Sequence, residues 1–520
     1  MPSSLTDPAP APAAWTDRLS SAPVLLGLLA VWLLATLGLR PLLVPDEGRY
    51  ANVAREMLLG VSGHGDGLVP TLNGLPFFHK PPLMYWLDMA AMQLFGVTPF
   101  AGRMASMLGA WLMGAALFFA LRRWHGQRAA GIALGVLATC PFFFIGAQYA
   151  NHDMLVAGLV SAAVLALARA LDEPAGARPS LRWLLIGWVL CALAVLAKGL
   201  IGFVLPALVI GPWLLAQGRW RDMFRLLHPL ALLAFALVAL PWFVLMQHRY
   251  AGFFDYFVVE QHFRRFAQTN FNNVHPFWFF VVVLPALTLP WSAWAPAATQ
   301  RLWRERPRGF GLLVWWVVAV LGFFSIPSSK LVGYALPAVA PWCALLGLGV
   351  AARPGTAWRW VMGASALLCV AIVGGFTVKS PHSNRAAALA LAAQIAPGDQ
   401  VVMVDEYLYD LPFYARLTTP VLVASDWSDP TLPMRDNWRK ELFDAARFDP
   451  AMGRRVLWPL AQLGALPCGT GTVWFVVAAG TSARVADLGG TGGTSGTGRI
   501  TRAFADAQTE LWRAPARACP

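Results

Sequence analysis

The sequence predicts a polytopic α-helical membrane protein carrying a small C-terminal α/β domain. Three observations carry that prediction. Of 520 residues, 57% are hydrophobic and 13% charged, and the mean hydropathy is +0.55, outside the range of water-soluble domains. Uncharged stretches of about 18 to 22 residues recur over the first three quarters of the chain, each long enough as a helix to cross roughly 30 Å of hydrocarbon. From about residue 379 the pattern changes to short apolar runs separated by turn residues, which fits alternating helices and strands.

Taken in order, the first apolar run lies near 22–43, with no ionisable residue between Ser21 and Leu39. It is too long for a signal-peptide core and no small-residue cleavage pattern follows it, so it reads as the first span. Further spans are expected near 104–121, 129–147, 154–168, 183–197, 200–216, 226–246, 277–297, 310–326, 332–351 and 358–378. That makes about eleven. With the N-terminus inside, the cytoplasmic loops are RRWHGQR (122–128), 172–182, GRWRDMFR (218–225), QRLWRERPR (300–308) and 353–359. All bear arginine, as the positive-inside rule requires. The formal charge of +13 is then a topological signal, and nucleic acid is not an expected partner.

The membrane part is expected to run over 1–378, with outer loops at 44–100 and 248–275, and the tail domain over 379–520. In the tail, AAALALAAQI reads as a helix, and VVMVDEYL, PVLVAS and TVWFVVAAG as strands. The glycine-rich run LGGTGGTSGTGR (488–499) lacks the GKS or GKT ending of a phosphate loop and reads as a linker. Cys140, Cys191, Cys343 and Cys369 fall in predicted helices and read as small apolar residues. Cys468 and Cys519 share the tail, where an oxidising compartment would let them pair.

Charge placement narrows the function. An ionisable residue at mid-bilayer is costly and marks a transport path, and the predicted helix centres here are clean. That disfavours an ion-coupled transporter, and a lipid-linked sugar flippase with it, since broken helices and midplane charge are not evident. The charged groups collect instead at outer helix ends. VPDEGRYANVAREM (44–57) starts a helix at Pro45 with Asp46 and Glu47 in its positive first turn. Asp46 and Arg49 share a face, and Tyr50, Val53, Met57 and Leu58 form an apolar stripe that would let the helix lie along the membrane surface. PFFHKPPLMYWL (76–87) holds His79 and Lys80, the lysine forced towards extended geometry by Pro81 and suited as a point charge to phosphate. YANHDML (149–155) puts Asp153 at a helix mouth, FVVEQHFRRF (257–266) supplies Glu260, His262, Arg264 and Arg265, and PSSKLVGYALP (327–337) supplies Lys330 and Tyr334. In the expected topology all five groups reach one membrane face.

Together, PDEGRYA, HKPPLMYWL, NHDM and SKLVGYALP resemble the lipid A aminoarabinose transferases and, with them, the dolichyl-phosphate-mannose-protein mannosyltransferase-like enzymes of the C-type glycosyltransferase fold. The resemblance covers about residues 25–350. It implies about 11 to 13 membrane helices and an enzyme that moves a sugar from a polyprenyl (undecaprenyl) phosphate to an envelope acceptor on the outer face of a bacterial inner membrane. The acceptor would be lipid A or another glycolipid, a glycan, or a protein, as in protein O-mannosylation. It further implies Asp46, with Glu47, as catalytic acids, to which the placement of charge adds Asp153. Arg49, Lys80 and Tyr334, supported by Arg264 and Arg265, would hold the donor phosphate, with Glu260 and Lys330 contacting sugar or acceptor. His79 stands where that branch commonly has glutamate, and Val332 and Gly333 where proline and threonine are usual. A zinc-like divalent metal, which the family suggests, would then fall to His79 and His262.

Overall fold

The computed structural model describes residues 21–61, 67–172, 178–264, 273–353, 355–379, 382–465, 471–481, 485 and 500–515. The chain is a multi-pass membrane protein. Among the described residues, six helices are long and apolar enough to cross a membrane: Ala101–Ala138, His152–Ala170, Leu181–Lys198, Pro229–Arg249, Val332–Ala351 and Ala357–Val378. Three shorter apolar helices, Ala22–Leu34, Ile201–Ala216 and Phe310–Ser325, join them. Ala101–Ala138 is itself a hairpin. Gly126 leaves helical geometry (φ 83°, ψ 172°), and the Leu134 side chain lies 3.3 Å from where a Cβ on Gly114 would stand. A straight helix rising 1.5 Å per residue could not bring those two together, so the predicted 104–121 and 129–147 are separate arms.

Two predicted spans differ from expectation. The first helix is only Ala22–Leu34, and turns over 35–39 lead from it to Arg40, which pairs with Glu47. The segment 277–297 is not one crossing: Phe279–Leu287 and Trp291–Glu305 meet at a bend of 104°. Pro285 within the first helix and Pro290 at the bend each remove a backbone donor there.

The helices pack through small residues, which lets backbones approach without a side chain between them. A Cβ on Gly158 would stand 2.0 Å from the Gly109 carbonyl oxygen. Helix His152–Ala170 is buried almost throughout and forms the centre of the bundle. Pro229–Arg249 and Ala357–Val378 instead leave Leu237, Val244, Trp360 and Leu367 exposed, as lipid-facing helices do. The arginine-bearing loops gather at one end around Asp172. It pairs with Arg123 at 2.6 Å, Arg308 at 3.0 Å and Arg169 at 3.6 Å, while Arg219 donates to the Leu171 carbonyl at 3.1 Å.

The opposite end carries a small hairpin, β1 (Thr71–Leu72) with β2 (Leu75–Pro76), and the C-terminal domain. That domain is built on β3 (Gln400–Val404), β4 (Leu422–Ser425), β5 (Leu457–Pro459), β6 (Val473–Ala478), β7 (Thr501–Ala505) and β8 (Thr509–Ala514). The sheet order is β5-β4-β3-β6-β8-β7. The first four strands run parallel and the last two antiparallel. The predicted strands are β3, β4 and β6, and the predicted helix is Arg385–Ala392. The glycine-rich 488–499 and Cys468 and Cys519 lie outside the described residues.

Helix Asp46–Leu59 does not lie along a membrane surface. Nearly all its residues from Glu47 to Met57 are buried, Asn52, Arg55 and Glu56 included. The helix is the seam between bundle and C-terminal domain. Arg55 donates to the Leu417 carbonyl at 2.6 Å, and the Tyr414 hydroxyl accepts the Leu42 amide at 2.7 Å.

Candidate active site

Asp46 and Glu47 open the same helix turn, about 100° apart around its axis, and so face different surroundings. Glu47 points inward and is fully buried. Its two oxygens accept from Arg40, from Arg103 at 2.8 and 3.2 Å, from the Ala150 amide at 2.9 Å and from the Leu43 amide at 3.0 Å. Burial would raise its pKa, but Arg103 and Arg40 overcome that and hold it at about 2. The sequence expectation of a catalytic Glu47 is therefore corrected: both oxygens are committed to the scaffold.

Asp46 points outward, its side chain 28% exposed. Arg49 donates to it at 2.5 Å and Asn151 at 3.2 Å, leaving a face open to solvent. Arg49 also pairs with Glu441 of the C-terminal domain, which in turn accepts from the Tyr409 hydroxyl at 2.6 Å. The guanidinium sits over the Tyr50 ring at 4.8 Å and the Tyr409 ring at 5.6 Å. Burial alone would lower its pKa; Glu441, Tyr50 and Asp46 raise it well above the ordinary value. It is a fixed positive charge.

Across from this turn, Asn151 caps helix His152–Ala170 by accepting the Asp153 amide at 3.1 Å, the usual work of an N-cap asparagine. One residue thus seats Asp153 in the first turn and touches Asp46. Asp153 pairs with Lys198, whose ammonium lies 4.9 Å above the Tyr334 ring. A Cβ at Gly333 would fall 2.1 Å from Asp153 Oδ2, so the glycine makes room for this carboxylate. His152 is wholly buried between Tyr50 (4.6 Å) and Tyr85 (5.2 Å) rings. The charges of Lys80, Lys198 and Arg49 all act on it, and among the described residues neither ring nitrogen has a hydrogen-bond partner.

The structure thus brings together Asp46, Arg49, Lys80, Asp153 and Tyr334. It does not bring in Lys330, whose ammonium is taken by the carbonyls of His275 (2.9 Å) and Pro327 (2.5 Å), so its expected role as a sugar or acceptor contact is corrected to a loop staple. Glu260 turns to the C-terminal domain and pairs with Lys440 at 3.2 Å. The side chains of His262 and Arg264, and Arg265 entire, lie outside the described residues. His79 stacks on Phe77 at 4.5 Å, with Tyr256 at 6.0 Å. No group of three His, Cys, Asp or Glu among the described residues is placed to hold a metal. Of the two expected zinc ligands, the His79 side chain is described and that of His262 is not. Lys198, Asn151 and Glu441 were not singled out from sequence. Lys198 left a signal: in AVLAKGLIG it is the lone cation between two apolar spans, on the outer side of the expected topology.

The dolichyl-phosphate-mannose-protein mannosyltransferase family model matches residues 79–245. An undecaprenyl phosphate-alpha-4-amino-4-deoxy-L-arabinose arabinosyl transferase of Sodalis glossinidius is 36% identical over 64% of this chain and 60% of its own length. Its counterpart in Pseudomonas aeruginosa is 34% identical over 65% of this chain and 61% of its own. The chain therefore spans about three fifths of the length of these relatives. ArnT from Cupriavidus metallidurans, solved bound to undecaprenyl phosphate, superposes with a TM-score of 0.80 at 23% identity, covering 96% of this chain and 98% of that one. The fold is that of ArnT, and the resemblance read from the four motifs is borne out.

Proposed function

We propose that this chain, kin by sequence to the aminoarabinose transferases and by fold to ArnT, is a membrane glycosyltransferase. It moves a sugar from a polyprenyl phosphate, undecaprenyl phosphate in bacteria, to an envelope acceptor such as lipid A. The N-terminus is cytoplasmic, and the site and C-terminal domain face the periplasm of the inner membrane. The gathering of arginines around Asp172 at the opposite end supports that orientation. The observation that carries the reading is that Asn151 joins two charged pairs at one spot, the half-open carboxylate Asp46 with Arg49 and Asp153 with Lys198.

That arrangement suits phosphate departure. As the bond between sugar and phosphate breaks, negative charge grows on phosphate oxygens and the sugar becomes cation-like. Cations held beforehand in a water-poor site stabilise that charge without reorganisation. Lys80 and Arg49 take this role, Tyr334 donates to the leaving group, and Lys198 is held by Asp153. Asp46 accepts the proton if the acceptor is a hydroxyl, a contribution of roughly 10²- to 10⁴-fold. If the acceptor is a phosphate, Asp46 orients it instead. A single displacement inverts the anomeric centre.

Full-length protein in proteoliposomes, given a polyprenyl phosphate-linked sugar and lipid A, tests this. Transfer is expected from the wild type and a loss of at least about 100-fold in Asp46→Asn and Lys80→Ala, with unchanged thermal unfolding in detergent. Wild-type turnover in either variant removes that residue from the site.

A further inference from the structure

A cleft of about 480 Å³ opens where residues 44 and 45 meet the C-terminal domain, within the usual size of small-ligand sites. Pro45, His382, Glu406, Tyr409 and Trp438 are among its lining, with Gln508 at an exposed rim. No lysine or arginine lines it. Glu406 is its one acid, and among the described residues its carboxylate has no ion-pair or hydrogen-bond partner. An unopposed carboxylate repels phosphate. Trp438 is the partly exposed ring of the lining, Tyr407 and Tyr409 being buried behind it, and an aromatic face beside a few polar groups suits a sugar ring, whose C–H face packs on the ring while hydroxyls or an amine reach the acid and amide.

The cleft shares a wall with the site already described. Pro45 directly precedes Asp46, and Tyr409 both lines the cleft and donates to Glu441 beside Arg49. Lys80 and Lys198 are not in its lining. Phosphate recognition and this cleft are therefore separate.

We propose that the cleft seats a sugar ring of the acceptor, a hexosamine or neutral hexose, and delivers it to Asp46 from the side of the C-terminal domain. The inference rests on the glycosyltransferase reading above. It assigns acceptor recognition to Trp438 and Glu406, and takes the sugar ring of the acceptor, not its phosphate, as what is recognised.

The test uses full-length protein in nanodiscs and two probes, a phosphate-free glucosamine disaccharide and polyprenyl phosphate, with binding read by saturation-transfer NMR and titration. Disaccharide affinity is expected to fall about tenfold or more in Trp438→Ala and several-fold in Glu406→Gln, and to hold in Lys80→Ala. Polyprenyl phosphate binding is expected to weaken in Lys80→Ala and to hold in the two cleft variants. Should Trp438→Ala not fold, Glu406→Gln and the rim variant Gln508→Ala carry the comparison. The proposal is overturned if wild-type protein does not bind the disaccharide, if both cleft variants bind it normally, or if only Lys80→Ala weakens it. Wild-type protein that binds the disaccharide but not polyprenyl phosphate overturns the donor reading and leaves the sugar cleft standing.

Discussion

Asp46 and Glu47 are one peptide bond apart and do opposite things, a difference set by which side of a helix each faces. Glu47 neutralises two buried guanidiniums, and removing its charge strands Arg40 and Arg103 in a low-dielectric interior. Glu47→Gln is expected to destabilise the protein by roughly 3–5 kcal/mol, read as a lower unfolding temperature in detergent. The pH dependence follows from the depressed pKa. Folded Glu47 titrates at about 2 against 4.5 for the ordinary group, so as pH falls the unfolded chain takes up the proton first. The stabilisation is complete above about pH 4.5 and is lost between there and about pH 2, a span worth roughly 3 kcal/mol. The gap in unfolding temperature between wild type and Glu47→Gln should therefore narrow from pH 6 to pH 3; a constant gap would contradict the ion-pair account. The sequence could not separate the two acids, since a helix starting at Pro45 places both in its first turn and only tertiary packing decides which one is enclosed.

The helix mouths are where the site is assembled, and the 332–335 turn shows how one backbone position controls a charged pair. Gly333 stands against the Asp153 carboxylate, and any side chain there would collide with Oδ2. Gly333→Ala is expected to push Asp153 off Lys198 and lower sugar transfer about tenfold or more, with little change in unfolding temperature because the turn is at the surface of the bundle. Gly333→Ala with full activity would show that Asp153 has room to move. Most of this level was legible: all but two of the spans, the arginine-rich loops and four of the five polar clusters follow from periodicity and charge placement. What escaped was pairing across long sequence distances. Lys198 and Asp153 are 45 residues apart, and nothing local in AVLAKGLIG says which acid it meets. Lys330 was misassigned for a related reason, because its partners are backbone carbonyls of Pro327 and His275 and carbonyls leave no mark in a sequence.

At the scale of the whole molecule, the C-terminal domain is part of the scaffold of the candidate site. Several buried polar groups between residues 42 and 73 are spent on that domain. Arg49 meets Glu441, Arg55 meets the Leu417 carbonyl, and the Leu42 amide meets the Tyr414 hydroxyl. Asn73 exchanges two hydrogen bonds with Val421 at 2.8 and 2.9 Å. The change of composition near residue 379 made a second domain legible, but composition says nothing about how tightly two domains share polar partners. Each of these groups left unsatisfied in a buried setting costs about 1–3 kcal/mol. Residues 1–378 expressed alone should therefore insert their membrane helices, which pack among themselves, yet lose order in the 44–100 loop. Hydrogen exchange in detergent is expected to show protection of helix Asp46–Leu59 collapsing in the fragment while helix His152–Ala170 stays protected, and polyprenyl phosphate affinity should fall with it because Arg49 is no longer held. If the fragment protects both helices as the full chain does, the bundle organises the loop unaided, and the domain's contribution reduces to the cleft it shares with Pro45.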